Sequence, residues 1–369
     1  MLELGQRAVQ APLRAGDAAA SWLLAAPRAL YGAAACRMGT ALSVLGLLAT
    51  NFSSRDVWVG QGSIWAEPAR ALSQFPELAL LDGVSGDVLT LFYVITMAAA
   101  VAMVVGWHTK AANVVTLVGF IAVVSQNPVV GDEGDNLVRI TLMWLLLMQT
   151  AERWSLDARR RERRAARADG SASAMREAWD GEKVLPPWLS AGLHHVGLIG
   201  LGTQTVLLFM AGGLDKISQD IWQRGTALYS TMQLPEFRPY PRLSDAVSTS
   251  TVALAVLTYT VLLTQLFFGP LLLHRVTRRV VITATVLVNV VLAVLLALPW
   301  SSLAFLALAA LFVSTETYER LDEWLRDRLA PVGDWLVLRW YDVQDAGAAV
   351  LDRTWWPVAD WFRASVLRR

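Results

Sequence analysis

Apolar residues in this chain gather in long, almost unbroken runs instead of alternating at the periods that mark half-buried strands or surface helices. Eight such runs lie at roughly 30–50, 88–106, 111–128, 136–152, 190–212, 249–272, 279–298 and 300–316. Most approach the ~20 residues that a helix needs to cross a bilayer. The pattern predicts an all-α, polytopic integral membrane helix bundle of about eight transmembrane helices. The break Leu298-Pro299-Trp300-Ser301 leaves the last pair open. It is either a tight external turn between two short spans or part of a re-entrant hairpin, so 299–316 is not settled as a full span.

Beyond residue 317 the pattern changes. Leu321, Trp324, Leu325 and Leu329 recur at helical spacing between charges, and Trp335 with Leu338, then Trp355 to Phe362, continue it. That spacing predicts amphipathic C-terminal helices on the cytoplasmic membrane face, or folded back onto the bundle. A partner-docking surface is the sharper alternative. Three segments follow: an amphipathic cytoplasmic stretch at 1–28, a transmembrane domain at 29–317 and a Trp-rich region at 318–369.

Basic residues set the expected orientation. The run from Arg153 to Arg167 is the densest in the chain, and His274 to Arg279 and Trp107 to Lys110 fall on the same side. These loops are placed in the cytoplasm, with both termini, in a plasma-membrane protein. The loops at 51–87, 129–135 and 213–248 are acidic or mixed and face outward.

Composition supports this picture. Hydrophobic residues make up 55% and charged residues 17%, which is a membrane balance. The 16 tryptophans include Trp107, Trp154, Trp188, Trp222 and Trp300 at expected span ends, which read as interfacial belts. The single cysteine, Cys36, excludes an internal disulfide framework or a Cys-based metal site. Residues 1–28 carry Arg7, Arg14 and Arg28 without a compact apolar region before a small-residue cleavage site, so the first span is expected to do the targeting.

Polar groups at membrane depth need partners and mark candidate sites. They include Arg37, Gln126, Asn127, Asp132, Glu133, Asp135, Asn136, Arg139, Gln204, Asp215, Lys216, Gln265 and Asn289. With the orientation above, the acids of the 129–135 loop, Asn136 and Lys216 all approach the outer face and are expected to share one pocket. Lys216 is the sharpest candidate, as a catalytic base. The plain reading pairs it with Asp215, Asp132 or Asp135 and lets it snorkel to water. The functional reading makes it a partly dehydrated amine, with Gly212 and Gly213 admitting a ligand or another backbone. Arg139 carries the same ambiguity. Asp215, Asn136, Asp135, Arg139, Asn127, Gln204, Asn289 and Trp222 complete the expected pocket.

His108, His194, His195 and His274 map to cytoplasmic span ends, away from Lys216. Adjacent His194 and His195 point about 100° apart on a helix and make a poor metal site. The arginine run at 159–167 marks the inner side and attraction to anionic lipid, so no nucleic-acid partner is expected. No metal is expected either. The chain lacks phosphate-loop, dinucleotide, nucleophile-elbow and zinc-protease signatures.

Several local markers occur in a telling order. They are Arg37-Met-Gly39, Gly106-Trp-His-Thr-Lys110, Gln126-Asn127-Pro128, Gly134-Asp135-Asn136-Leu137-Val138-Arg139, Trp154-Ser155-Leu156-Asp157, and Ala211-Gly-Gly-Leu-Asp-Lys216-Ile with Trp222 and Gly225. With them the chain, over roughly 30 to 315, resembles the HTTM family, shared with vitamin K-dependent gamma-glutamyl carboxylase and the sporulation-delaying-protein B group. The resemblance implies that Lys216 matches the carboxylase lysine acting as base towards a reduced quinone, and so implies a quinone-like lipid cofactor. The carboxylase's histidines are replaced here, one by the Gly, Asp, Asn and Leu at 134–137. The other falls in Val286-Leu-Val-Asn289, where only the asparagine is kept. Its large extracytoplasmic substrate domain has no counterpart. Bacterial relatives near the sporulation-delaying group, which assist maturation of an exported peptide, are the better guide.

Two functions remain open. One is a membrane factor that modifies, matures or binds a small exported or single-span protein at the extracytoplasmic face. The other is a non-catalytic scaffold whose tail from Tyr318 docks a partner. A transporter fits less well, because no inverted repeat or paired broken span is evident. Catalysis itself, the client and the oligomeric state are not fixed by the sequence.

Overall fold

In the computed structural model, residues 21–73, 76–167 and 185–328 are described. Arg7 and Arg14 of the amphipathic N-terminal stretch, and the expected tail helices around Leu329, Trp335, Leu338 and 355–362, lie outside them. Every described regular element is a helix. Contacts divide the chain into two units, Met1–Ser314 and Thr315–Arg369.

Each of the eight apolar runs supplies a helix in the first unit. The helices are α1 (Leu30–Thr50), α2 (Gly86–Val105), α3 (Thr109–Val124), α4 (Glu133–Leu147), α5 (Leu156–Arg167), α6 (Pro187–Ser218), α7 (Thr251–Leu266), α8 (Arg275–Leu295) and α9 (Pro299–Ala309). Only α5, in the basic loop, is not one of those runs. Four helices, α1, α2, α6 and α8, are long and apolar enough to cross a membrane alone, and up to six spans result if bent pairs count as one.

The other runs are shortened for physical reasons. α3 has 16 residues and α4 has 15, about 24 and 22 Å, against a hydrocarbon core of roughly 30 Å. α4 begins among Glu133, Asp135 and Asn136, where Asp132 and Asp135 exchange side-chain-to-backbone bonds in a capping box. α7 starts at the Ser250 cap and bends 95° from the helix before it. α8 and α9 pack on each other across residues 296–298, with Ala297 in the left-handed region at φ 54°. That is the tight-turn alternative for the Pro299 break.

α1 is the axis of the bundle. It packs against α2, α4 and α9, and 61% of its apolar window is buried, against 28–33% for the other three candidate spans. In lipid, apolar burial gives little drive, so close backbone approach matters more. Gly39 and Gly46 lie seven residues apart, two turns of helix, and turn one face to α9. A Cβ at Gly39 would sit 2.7 Å from the Ala307 Cβ, and one at Gly46 would sit 2.1 Å from the Trp300 ring. The ring is then tied at both ends of its residue. Its Nε1 donates to Thr50 Oγ1 at 3.1 Å, and its carbonyl accepts from Ser43 Oγ at 2.6 Å.

In the second unit, the helix Thr315–Arg328 carries an Asp322–Arg326 ion pair at 2.9 Å and exposes Leu321 and Trp324.

Gly46→Ala should therefore lower the melting temperature of the detergent-purified protein by several degrees, corresponding to about 1–3 kcal/mol of overpacking. Gly202→Ala on α6, where a Cβ meets nothing within 4 Å, should leave it unchanged. Equal melting of the two variants, followed by fluorescence-detected gel filtration, would show that the α1–α9 seam is loose.

Candidate functional site

Polar groups collect at two opposite ends of the bundle. At one end Arg37, wholly buried on α1, donates from Nη1 to the Thr150 carbonyl at 2.9 Å and from Nη2 to the Trp154 carbonyl at 2.7 Å. Asp157 at the start of α5 lies within electrostatic reach of the guanidinium. That carboxylate accepts from the His108 N–H at 3.0 Å, the Thr109 N–H at 2.8 Å and the Thr109 hydroxyl at 2.7 Å, and it also takes the Arg160 guanidinium. Burial alone would raise the Asp157 carboxyl, but the Thr109 bonds and the Arg160 charge outweigh it and hold it below the usual carboxylate range.

The backbone is shaped for this contact. His108 and Trp154 both take left-handed conformations, at φ 43° and 48°, a strain of order 1 kcal/mol or more each. Gly106, at φ 71°, leaves room where a Cβ would sit 2.4 Å from Ser155 and 2.8 Å from the Arg37 guanidinium. Lys110 adds a clamp, donating to the carbonyls of Leu145, Leu146 and Met148 at 3.4, 2.5 and 2.6 Å. A cation there satisfies orphan carbonyls at the C-terminus of α4 and complements its dipole. His194 accepts the Gln149 N–H at Nδ1, which makes Nε2 the donor to the Arg28 carbonyl and fixes a neutral tautomer. Among the described residues no group of metal-ligating side chains is present.

The opposite end is built differently. A cavity of about 230 Å³ is lined by Leu47, Asn51, Ser54, Val57, Trp58, Val124, Asn127, Val130, Gly131 and Asp135. A second, of about 520 Å³, shares Leu47 and Asn51 and adds Asp132, Tyr240, Trp300 and Ser301. Asp132 accepts a short bond from the Ser301 hydroxyl, which ties α9 to the start of α4, and Gly134 gives way to Ser301 at the same seam. Of the expected pocket residues, Asn127 and Asp135 come together in the smaller cavity. Asn136 is exposed and accepts from Arg139 Nη2 at 3.2 Å, and neither lines that cavity.

Lys216 sits near the end of the 32-residue α6. Among the described residues it makes no hydrogen bond or ion pair. Its Nζ lies over the Trp222 ring at 5.5 Å from the centroid, a cation–π contact. Asp215 instead accepts from Gln219 Nε2 at 3.0 Å. A Cβ at Gly212 would begin 3.7 Å from Lys216 Nζ and 3.3 Å from Gln265 Oε1, so the amine and this amide flank one bare spot. That Gln265 oxygen is buried and has no hydrogen-bond partner. Gly213 serves a structural need, since its missing Cβ would lie 2.5 Å from the Leu266 backbone of α7.

Lys216 lines neither cavity described above, and no bond joins it to Asp132, Asp135, Asn136 or Arg139. Gln204 lies twelve residues earlier on α6, about 18 Å along the axis, and does not reach it. Asn289 is buried on α8 and bonds back to the Thr285 carbonyl at 2.9 Å. The amine, the orphan amide oxygen and the indole face fit an oxygen-bearing aromatic ring such as a quinone-like lipid carries. Asn51, Ser54, Trp58 and Ser301 were not anticipated. Their signal was a polar residue just past a span end on the side of Asn127.

A bundle of apolar helices with spanning length, a buried arginine and polar groups at both ends defines a polytopic helical membrane protein. The HTTM domain profile matches residues 34–316, and the chain belongs to the HTTM family. No curated protein and no solved structure matches it.

Asp135 allows a test of the smaller cavity. Burial first, then the Asp132 charge, push its carboxyl up to about 6, with the Asp132 N–H and Arg139 acting the other way. An unfolded Asp titrates near about 3.9. A folded value above the unfolded one means that the ionised form costs stability above pH ~6, a cost that disappears as pH falls through that value towards about 4. Asp135→Asn should thus melt above the wild type by a few degrees at pH ~8, with the gap narrowing below pH ~6 and closing towards pH ~4. A pH-independent difference would mean that Asp135 is solvated.

Proposed function

We propose that this membrane protein binds or modifies a small exported or single-span protein at the extracytoplasmic face of the plasma membrane, with both termini in the cytoplasm and Lys216 as base or ligand. The observation that carries this reading is an amine left without a carboxylate at the end of a long apolar helix. The neighbouring carboxylate, Asp215, is turned to Gln219 instead. Lysine amines are among the side chains that serve as general bases. The buried, unpartnered Gln265 oxygen beside it supplies an acceptor for a group the amine would act on.

The orientation rests on the basic run of 153–167 at the Arg37 end, which anionic lipid and the positive-inside rule favour on the cytoplasmic side. Lys216, about 33 Å of helix beyond His194, then opens outward. The family likeness adds a quinone-like lipid as cofactor, which would supply redox chemistry. Lys216, Gln265 and Trp222 would hold its ring, and Lys216 Nζ is the atom that would take or give a proton there. The residues at 134–137 and the stretch 286–289, of which only Asn289 is kept, stand where the carboxylase has histidines, so the reading stops short of glutamate carboxylation.

Lys216→Ala, at unchanged membrane abundance, should reduce client processing by about 10²-fold or more, as loss of a general base does. Lys216→Arg should not restore it. The measurement is mass spectrometry of the exported client from cells carrying each variant. Full processing in Lys216→Ala would contradict a chemical role and favour the scaffold.

A further inference from the structure

The smaller cavity at the Asp135 end is not explained by Lys216. It has the chemistry of a binding site in its own right. Asn127 is 1% exposed, and its amide is held in one sense, because Oδ1 accepts the Val129 N–H at 3.2 Å. The Nδ2 group is therefore the free end, and it is buried without any partner. A buried donor in that state costs about 1–3 kcal/mol unless a ligand or water meets it. On the same wall stands the Asp135 carboxylate, half-buried and facing the Asp132 charge with only partial relief from Arg139. The rest of the lining is Leu47, Val57, Val124, Val130 and the Trp58 ring.

These surfaces ask for three things at once: an acceptor for Asn127 Nδ2, a cation for Asp135 and a compact apolar group. At about 230 Å³ the space falls below the roughly 300–1,000 Å³ of drug-sized pockets. We propose that this cavity binds the free amino terminus of a peptide chain whose first residue is apolar. The terminal ammonium donates to Asp135, the first carbonyl accepts from Asn127 Nδ2, and the first side chain rests against Trp58 and the valines.

A continuing chain favours a peptide over a simple amine. The larger cavity shares Leu47 and Asn51 with the smaller one and offers Asp132, Ser301 and Tyr240 along about 520 Å³, so residues after the first have room to run. This site deepens the proposal above, since it rests on that reading for the idea that the occupant is an exported polypeptide. It makes no use of Lys216.

The test uses the full chain in lipid nanodiscs and three probes: leucyl-glycinamide, its N-acetylated form and 3-methylbutylamine. Isothermal titration should show the dipeptide binding about tenfold or more tightly than either of the others, as expected when a charge-assisted bond or a buried acceptor is lost. Asp135→Asn should weaken the dipeptide by about tenfold. Asn127→Asp keeps the bond to Val129 but replaces the donor by an acceptor, and it should abolish the preference for the dipeptide over the amine.

Each variant's thermal melt is recorded, and binding is compared well below the lowest melting temperature, so loss of fold is separated from loss of the site. Equal binding of the acetylated dipeptide, absence of dipeptide binding in the wild type, or an unchanged preference in Asn127→Asp overturns the proposal, the last of these leaving an amine site only. The probe is not the client, so a negative result here leaves the role of Lys216 standing. Full client processing in Lys216→Ala would in turn leave this cavity standing.

Discussion

A guanidinium buried at one end of a helix bundle is the constraint around which the rest is arranged. Desolvating one ion costs several kcal/mol even after relaxation, and Arg37 has almost no water contact. The cost is offset only because three chain segments converge on it. The turn after α4 presents the Thr150 and Trp154 carbonyls, α5 brings Asp157, and the α2–α3 turn holds Asp157 through two backbone N–H groups and the Thr109 hydroxyl. The left-handed residues His108 and Trp154 and the bare Gly106 are tolerated because this contact requires them.

The two ends of the bundle differ in how their polar groups are met. At the Arg37 end most of the buried charge is met: Lys110 by three carbonyls, Asp157 by Thr109, His108 and Arg160, and Arg37 by two carbonyls, with only its Nε left over. At the far end the same helices deliver groups that are not met. Asn127 Nδ2 and Gln265 Oε1 are buried without partners, Lys216 has only an indole face, and Asp135 stands beside another acid. Fixing one end of α1 through Arg37, and its other end through Gly46 and Trp300, sets the walls of both cavities at the Asp135 end. Polar groups can be left unsatisfied there because the other end, and the α1–α9 seam, hold the frame.

The family, the all-helical class and the helical positions were legible in the sequence, because in lipid an apolar run has few alternatives to a helix. The number of full spans was not. Hydropathy counts apolar residues but cannot see that Asp132 and Asp135 begin α4 as a capping box, or that α7 ends at Phe267 inside its run. The site was legible in part. Asn127 and Asp135 do meet, since both flank one short loop, but Gln204 and Asn289 face other neighbours because helix rotation decides direction. Lys216 was visible through its motif, whereas Gln265 as its neighbour needed the α6–α7 packing through Gly213. The markers Arg37, Gly106 to Lys110 and Asp157 were read separately and prove to be one cluster.

The account turns on which end of the bundle meets the outside. Cys36 is the single cysteine and is wholly buried, so introduced thiols can be read against a quiet background. Val130 at the Asp135 end and Arg159 at the Arg37 end are both exposed. The most direct measurement is labelling of Val130→Cys and Arg159→Cys with a membrane-impermeant maleimide in intact cells. The account predicts that Val130→Cys reacts at once and Arg159→Cys only after the cells are opened. The reverse order would put the unpartnered groups on the cytoplasmic side and contradict it.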